Sequence, residues 1–225
     1  FGRYLLTWSG YHNKIDWKIQ SGLSAEKLLF TDFTVAINSL SKSKALINEA
    51  ELNWQLHPNV LLQGGMQHQW LSGSNENYSD SEQTQHRGAL FTSFKYQSIN
   101  DKVQARLSVR QELSEYENAP LVPTLGIVYR PLSAVQFTAK VGRSYRLPTF
   151  NDLFWQPGGN PDLLPELGWS QEIGLRTQLP FKTLKSTFSV TAFSNRIDNW
   201  ILWRPGRSFW SPENASNRKK YSHRS

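Results

Sequence analysis

Apolar and polar residues alternate one by one through most of this chain, and that constrains its fold more than any other feature. Val103, Ala105, Leu107 and Val109 are separated by Gln104, Arg106 and Ser108. Val135, Phe137, Ala139 and Val141 interleave with Gln136, Thr138 and Lys140, and Ala50, Leu52, Trp54 and Leu56 with Glu51, Asn53 and Gln55. Successive side chains of a β-strand point to opposite faces, so each run reads as a strand with one apolar and one strongly polar face. The pattern predicts strands over 3–11, 14–24, 44–57, 59–71, 86–98, 102–114, 121–131, 134–145, 169–179 and 184–198. These exceed the about five or six residues usual in globular proteins.

The joins alternate in length. His12-Asn13, Pro58, Asn100-Asp101, Leu132-Ser133 and the region 180–183 are tight, which favours antiparallel hairpins. The segments 25–43, 72–85, 115–120 and 146–168 are mostly much longer. An up-and-down sheet with turns at one end and loops at the other is expected. A β-sandwich also shows alternating strands, but this asymmetry is the pattern of membrane barrels, whose apolar face meets lipid and whose polar face lines a wet lumen. The fold class is therefore all-β, an antiparallel up-and-down transmembrane barrel. The loop 72–85 is polar throughout and is expected to be solvent-exposed and mobile.

Composition agrees without deciding the matter. Apolar residues make up 38% of the chain, and the mean hydropathy is -0.53. No apolar run is long enough for a spanning helix, whereas a spanning strand needs only about 9–11 residues, every second one apolar. Nine Trp among 13% aromatics suit interfacial girdles, and equally an aromatic sandwich core or a sugar-binding surface. There is no Cys. The net charge of +7 is inflated by Arg218, Lys219, Lys220 and Arg224 at the end of the chain, and no basic stripe suited to nucleic acid remains. The histidines His12, His57, His68, His86 and His223 show no ligand spacing, so no metal is expected. No nucleophile elbow is present, and Gly158-Gly159-Asn160-Pro161 lacks the Lys-Ser/Thr of a phosphate loop. Glu49 and Glu51 read as part of a wet wall. Neither an enzyme nor a cofactor is expected.

The stretch Arg143 to Glu172 departs from the alternation. Arg143 is expected to close its strand on the polar side. Pro148 stops the ladder, Asn151-Asp152 suits an Asx turn, and Gly158-Gly159 supplies positive φ. Asn160-Pro161 and Pro165 fix further corners, after which Trp169, Ile173 and Leu175 resume the strand. This is a structured loop, with Phe150, Leu153, Phe154 and Trp155 packing it against a wall or over a mouth. Two roles compete. In one, Arg143, Arg146, Asp152 and Glu166 exchange charge-assisted hydrogen bonds and hold a shape. In the other, Trp155, Asn160 or Asp162 touches a ligand. A motif rich in Pro and Gly favours the first.

Arg143, Arg146, Pro148, Asp152-Leu153, Gly159-Asn160-Pro161, Leu164-Pro165-Glu166 and Glu172, in this order, resemble a segment of TonB-dependent outer-membrane receptors. The RLPTFNDLFW and GGNPDLLPE style of loop is similar to that of vitamin B12 (cobalamin) receptors, and siderophore receptors share much of it. The resemblance implies a barrel of about 22 strands around a plug, in the outer membrane of a Gram-negative cell. It implies energy-coupled uptake of a cobalamin-like or siderophore ligand. The implied partners are outer-membrane lipid, that small ligand, and a TonB-type protein that engages an N-terminal box. Arg196 to Trp203 and then Trp210 to Asn214 look like the next strand, its outer loop and the return into a further strand. The chain departs from the family in having no plug, no box and only about half the strands of that barrel. Residues 1–217 are thus expected to be a partial barrel, inactive by itself. The basic tail 218–225, which neither alternates nor ends in an aromatic residue, is read as out of frame. The alternatives are a passive porin-type barrel and a soluble sugar-binding β-protein.

Overall fold

The computed structural model describes residues 2–32, 37–115, 119–180, 185–215 and 218–224. Ten strands follow one another as an antiparallel meander: β1 (Gly2–His12), β2 (Ile15–Asp32), β3 (Ile37–His57), β4 (Val60–Asn75), β5 (Glu82–Gln97), β6 (Val103–Ser114), β7 (Val122–Leu132), β8 (Val135–Arg146), β9 (Glu166–Pro180) and β10 (Lys185–Asp198). One helical turn, α1 (Phe150–Phe154), lies between β8 and β9. After β10 come β11 (Trp200–Pro205) and β12 (Trp210–Ala215), which pair as a separate hairpin. Then β13 (Arg218–Arg224) pairs with β10 and completes an 11-stranded sheet in the order β1 to β10, then β13. The sheet is unclosed, one part of a barrel wall.

Short turns join β1 to β2, β3 to β4, β5 to β6 and β7 to β8 as expected, and the join expected at 180–183 lies largely outside the described residues. Asn13 and Lys14 both take positive φ, 47° and 69°, so β1 and β2 are joined by the two-residue geometry that matches strand twist. The strand-to-strand registers then fix the faces. On the outer face stand Leu23, Leu52, Trp54, Met66, Leu90, Phe94, Ile127, Phe137 and Ile173, all large and all exposed. On the inner face, polar side chains two strands apart meet. Arg106 Nη2 donates to Gln63 Oε1 at 2.9 Å, and Arg110 Nη2 to Gln67 Oε1 at 2.8 Å. Gln63 and Gln67 in turn donate to Glu51 and Glu49, at 2.6 and 2.8 Å. Contacts that skip a strand make this the concave side.

Four expectations are corrected. The segment 25–43 is not a long loop, because β2 and β3 stay paired from Ala25↔Lys44 to Asp32↔Ile37. The alternation fades there while the backbone ladder, which needs no apolar face, continues. The segment 72–85 is likewise mostly strand. Only 76–81 turns, with Asn77 N donating to Asn75 Oδ1 at 2.8 Å. Asn75 is 2% exposed, and its amide donates to Ser39 and Ser41. Arg143 does not close β8 on the polar side. The register with β9 runs unbroken to Arg146↔Glu166, which puts Arg143 in phase with Phe137, Ala139 and Val141. Finally, Arg218 to Arg224, expected to be a non-alternating tail outside the barrel 1–217, pairs along Thr191 to Ile197 of β10. The return strand is therefore β13, and β11–β12 is the outer loop before it.

Candidate functional site: a cap built on the long-loop end

The segment between β8 and β9 starts as a capping box. Thr149 Oγ1 accepts from Asp152 N at 3.2 Å, and Asp152 Oδ2 accepts from Thr149 N at 2.9 Å. That reciprocal pair starts α1 immediately after Pro148 has ended the ladder. Asp152, 6% exposed, then becomes a hub. Its carboxylate also accepts from Thr149 Oγ1 at 2.8 Å, Trp203 Nε1 at 2.9 Å and Arg146 Nη1 at 3.4 Å. Arg146 reaches Glu166 Oε1 at 2.7 Å with its other terminal nitrogen, and the same oxygen accepts from Ile201 N at 2.9 Å. Arg146, Asp152 and Glu166 thus form one charge-assisted network. Arg143 does not join it. Its Nη1 donates to Leu121 O at 3.5 Å, and its buried Nε has no partner among the described residues.

The two glycines of the loop have different tasks. Only Gly158 has positive φ, 120°. Gly159 is needed for closeness: a Cβ there would lie 2.6 Å from Trp155 N and 2.8 Å from Leu153 O. Asn160 Nδ2 donates to Pro212 O at 3.2 Å, and its Oδ1 accepts from Asp162 N at 3.0 Å. Asn214 clasps Leu164 from both sides, Leu164 N to Asn214 Oδ1 at 2.8 Å and Asn214 Nδ2 to Leu164 O at 2.9 Å. Pro165 is buried, whereas Pro161 and Asp162 are exposed. Leu153, Leu163 and Ile201, with Phe154 against them, form the buried apolar cluster of the described residues. The core sits in the cap, not between sheets.

The cap also reaches across the inner face to the turn between β4 and β5. Ser79 N donates to Phe154 O at 2.9 Å and Gln156 N to Asn77 O at 2.6 Å, while Trp155 bridges to Tyr78. Tyr78 Oη donates to Asn151 Oδ1 at 2.5 Å, and burial pushes its phenol pKa up. Phe150 lies where a side chain on Gly73 would be, 2.6 Å from the position of a Cβ. Beneath α1 a cleft of about 540 Å³ opens against β2–β4, lined by Ser24, Glu26, Ser41, Ser43, Tyr78 and Phe150 among others. Of the three residues weighed as ligand contacts, Trp155 is half-buried in the bridge and both ends of the Asn160 amide are used within the cap. Asp162 alone faces solvent. Sequence reasoning missed Trp203, Asn214, Tyr78 and Gly73 as parts of this assembly. Thr149-x-x-Asp152 could have been read as a capping box; the others carry no local signal.

A curved antiparallel wall, apolar outside and polar inside, with a hydrogen-bonded cap folded over one end, defines a barrel-wall protein. The TonB dependent receptor-like β-barrel family model matches residues 3–222. The vitamin B12 transporter BtuB of Vibrio vulnificus (strain YJ016) is 30% identical over 196 residues, 82% of this chain and 31% of the relative. The BtuB of Photobacterium profundum is 30% identical over 199 residues, 83% and 32%. The siderophore receptor PirA of Pseudomonas aeruginosa superposes with a TM-score of 0.81 at 14% identity, over 96% of this chain and 44% of PirA. The chain belongs to the TonB-dependent receptor β-barrel family, whose members are outer-membrane receptors and transporters. It spans about a third of the length of the curated relatives it matches.

Proposed function

We propose that this chain is part of the wall and mouth of an outer-membrane receptor for energy-coupled uptake of a cobalamin-like ligand. The observation that carries this reading is the 30% identity to vitamin B12 transporters over 82% of the chain. The physical basis is the two-faced wall. Its outer face offers large apolar side chains to lipid, and its inner face carries the Glu51–Gln63–Arg106 ladder that water can fill. Outer-membrane lipid, the small ligand and a TonB-type energy-coupling protein are the partners, the last through a part of the receptor outside this chain.

The signature residues Arg146, Pro148, Asp152, Gly159, Asn160, Pro161, Pro165 and Glu166 shape the mouth. Their polar groups are spent on one another and on β11–β12, which supports a shaping role over ligand contact. Labelled cobalamin uptake by cells carrying the complete receptor tests the function. Uptake is expected to need the receptor and to stop when the inner-membrane proton gradient is collapsed. Uptake that survives that collapse would assign the wall to a passive porin-type channel.

Expressed by itself, the chain is expected to aggregate. Its sheet leaves β1 and β13 unpaired with each other, and each unsatisfied backbone group in lipid costs several kcal/mol. Recovery of a monomeric, membrane-inserted, protease-resistant species would count against this.

A further inference from the structure

His68 of β4 and His86 of β5 are 18 positions apart, a separation that no ligand-spacing rule covers. The antiparallel ladder brings them together. Met66 faces Leu90, His68 faces Gly88 and Trp70 faces His86, so the two histidines are diagonal neighbours on the outer face. His68 Nε2 lies 3.1 Å from His86 Nδ1, and the rings stack at 5.3 Å with 26° between their planes. Both side chains are exposed. His68 is the ninth residue of β4, at the far end of the about 9–11 with which a strand crosses a bilayer, and Trp70 beside it suits the interface. Exposed imidazoles at that height hydrogen-bond equally well to water, so folding does not require these rings to face each other.

The pair fits a shared cation. Two nitrogens 3.1 Å apart can each reach one ion at about 2.0–2.1 Å, with roughly 100° between the two bonds. Whichever ring donates the present hydrogen bond moves its proton to its other nitrogen. Both facing nitrogens then carry lone pairs, and no proton leaves a neutral pair. Gly88, opposite His68, leaves room: a Cβ there would meet nothing within 4 Å, so water ligands can complete the shell. Glu115 brings negative charge alongside, its Oε2 accepting from His86 N at 2.9 Å.

We infer that His68 and His86 bind one divalent transition-metal ion of the copper(II) and zinc(II) class. Imidazole suits these cations, and a nitrogen site holds copper(II) more tightly than zinc(II). Calcium and magnesium, which take oxygen ligands, do not fit it. The ion would clasp β4 to β5 just below the turn 76–81, from which Tyr78 reaches the cap. The site lies apart from uptake and needs only the β4–β5 register.

The test uses the complete receptor carrying this chain, purified in detergent, stripped of metal by a chelator and titrated with copper(II) alone. The wild type is expected to bind one equivalent that His68→Gln and His86→Gln hold about 100-fold more weakly, the upper end of what loss of a supporting residue costs a metal site. Its paramagnetic resonance spectrum should show two imidazole nitrogens. Heat-modifiable migration of each variant verifies that the exposed substitutions leave the fold intact. Isotopically labelled histidine gives a second readout on the unaltered chain, where coupling of the bound copper(II) to fewer than two imidazoles overturns the proposal. Unchanged affinity in both variants overturns it too, as does displacement of the copper(II) by an equal concentration of calcium.

Discussion

Asp152→Ala is expected to detach the cap from the wall while leaving the strands paired. The substitution removes the acceptor for Thr149 N, Thr149 Oγ1, Trp203 Nε1 and Arg146 Nη1 at once. Trp203 Nε1, on a half-buried side chain, loses its acceptor, while Thr149 is exposed and its N–H can turn to water. A hydrogen bond to a charged group contributes about 1.5–3 kcal/mol, so a local loss of about 2 kcal/mol is expected. Arg146 adds little to that figure because its side chain is 44% exposed and solvent screens it. Hydrogen exchange in the complete receptor provides the measurement. Protection should fall across 149–165 and 200–214 and persist in β6 and β7. Unchanged protection at Leu153 and Ile201 would remove Asp152 from its place as the hub. Asp152→Asn keeps one acceptor oxygen and should fall between the two.

Gly158→Ala is expected to be at least as damaging, through shape alone. Its φ of 120° lies where an L side chain is strained, and the added methyl would stand 2.1 Å from Trp210 O. That oxygen belongs to the backbone of β12 and cannot turn aside as a side chain could. Strain of this kind costs about 1–3 kcal/mol before the clash is counted. The hairpin β11–β12 must then lift from the 147–165 segment, breaking the contacts of Asn160 with Pro212 and of Leu164 with Asn214. Limited proteolysis between Pro205 and Trp210 should accelerate by at least tenfold. An unchanged cleavage rate would show that the hairpin is held by something other than this approach.

The wall was legible because its physics is local. Alternation at Val135 to Val141 or Ala50 to Leu56 follows from one strand meeting two solvents, and the two-residue joins follow from turn sterics. The reading failed where strands leave the apolar belt. At Ser39, Ser41 and Asn75 the ladder continues with small polar residues whose pairing no periodicity records. The cap was legible as a rigid loop, since Pro148, Gly158 and Pro165 state their backbone preferences outright. Its partners were not. Trp203 meets Asp152 across 51 positions of sequence and Tyr78 meets Asn151 across 73, and nothing local to either residue announces the other. Arg143 differs for a simpler reason: a charge at the end of a strand suggests a polar-facing side chain, but two residues on from Val141 it shares the apolar face.

The bridge from Tyr78 and Asn77 to the segment 151–156 has a mechanical consequence. Neighbouring strands fix each other's spacing but leave a ribbon free to bend by small, accumulating amounts at every joint. A tie between the tops of β4–β5 and β8–β9 acts as the string of a bow. It sets the distance between two points of the arc, and with that the radius to which the whole ring must be bent. The short, stiff segment at the mouth thereby gauges the diameter of the tube below it.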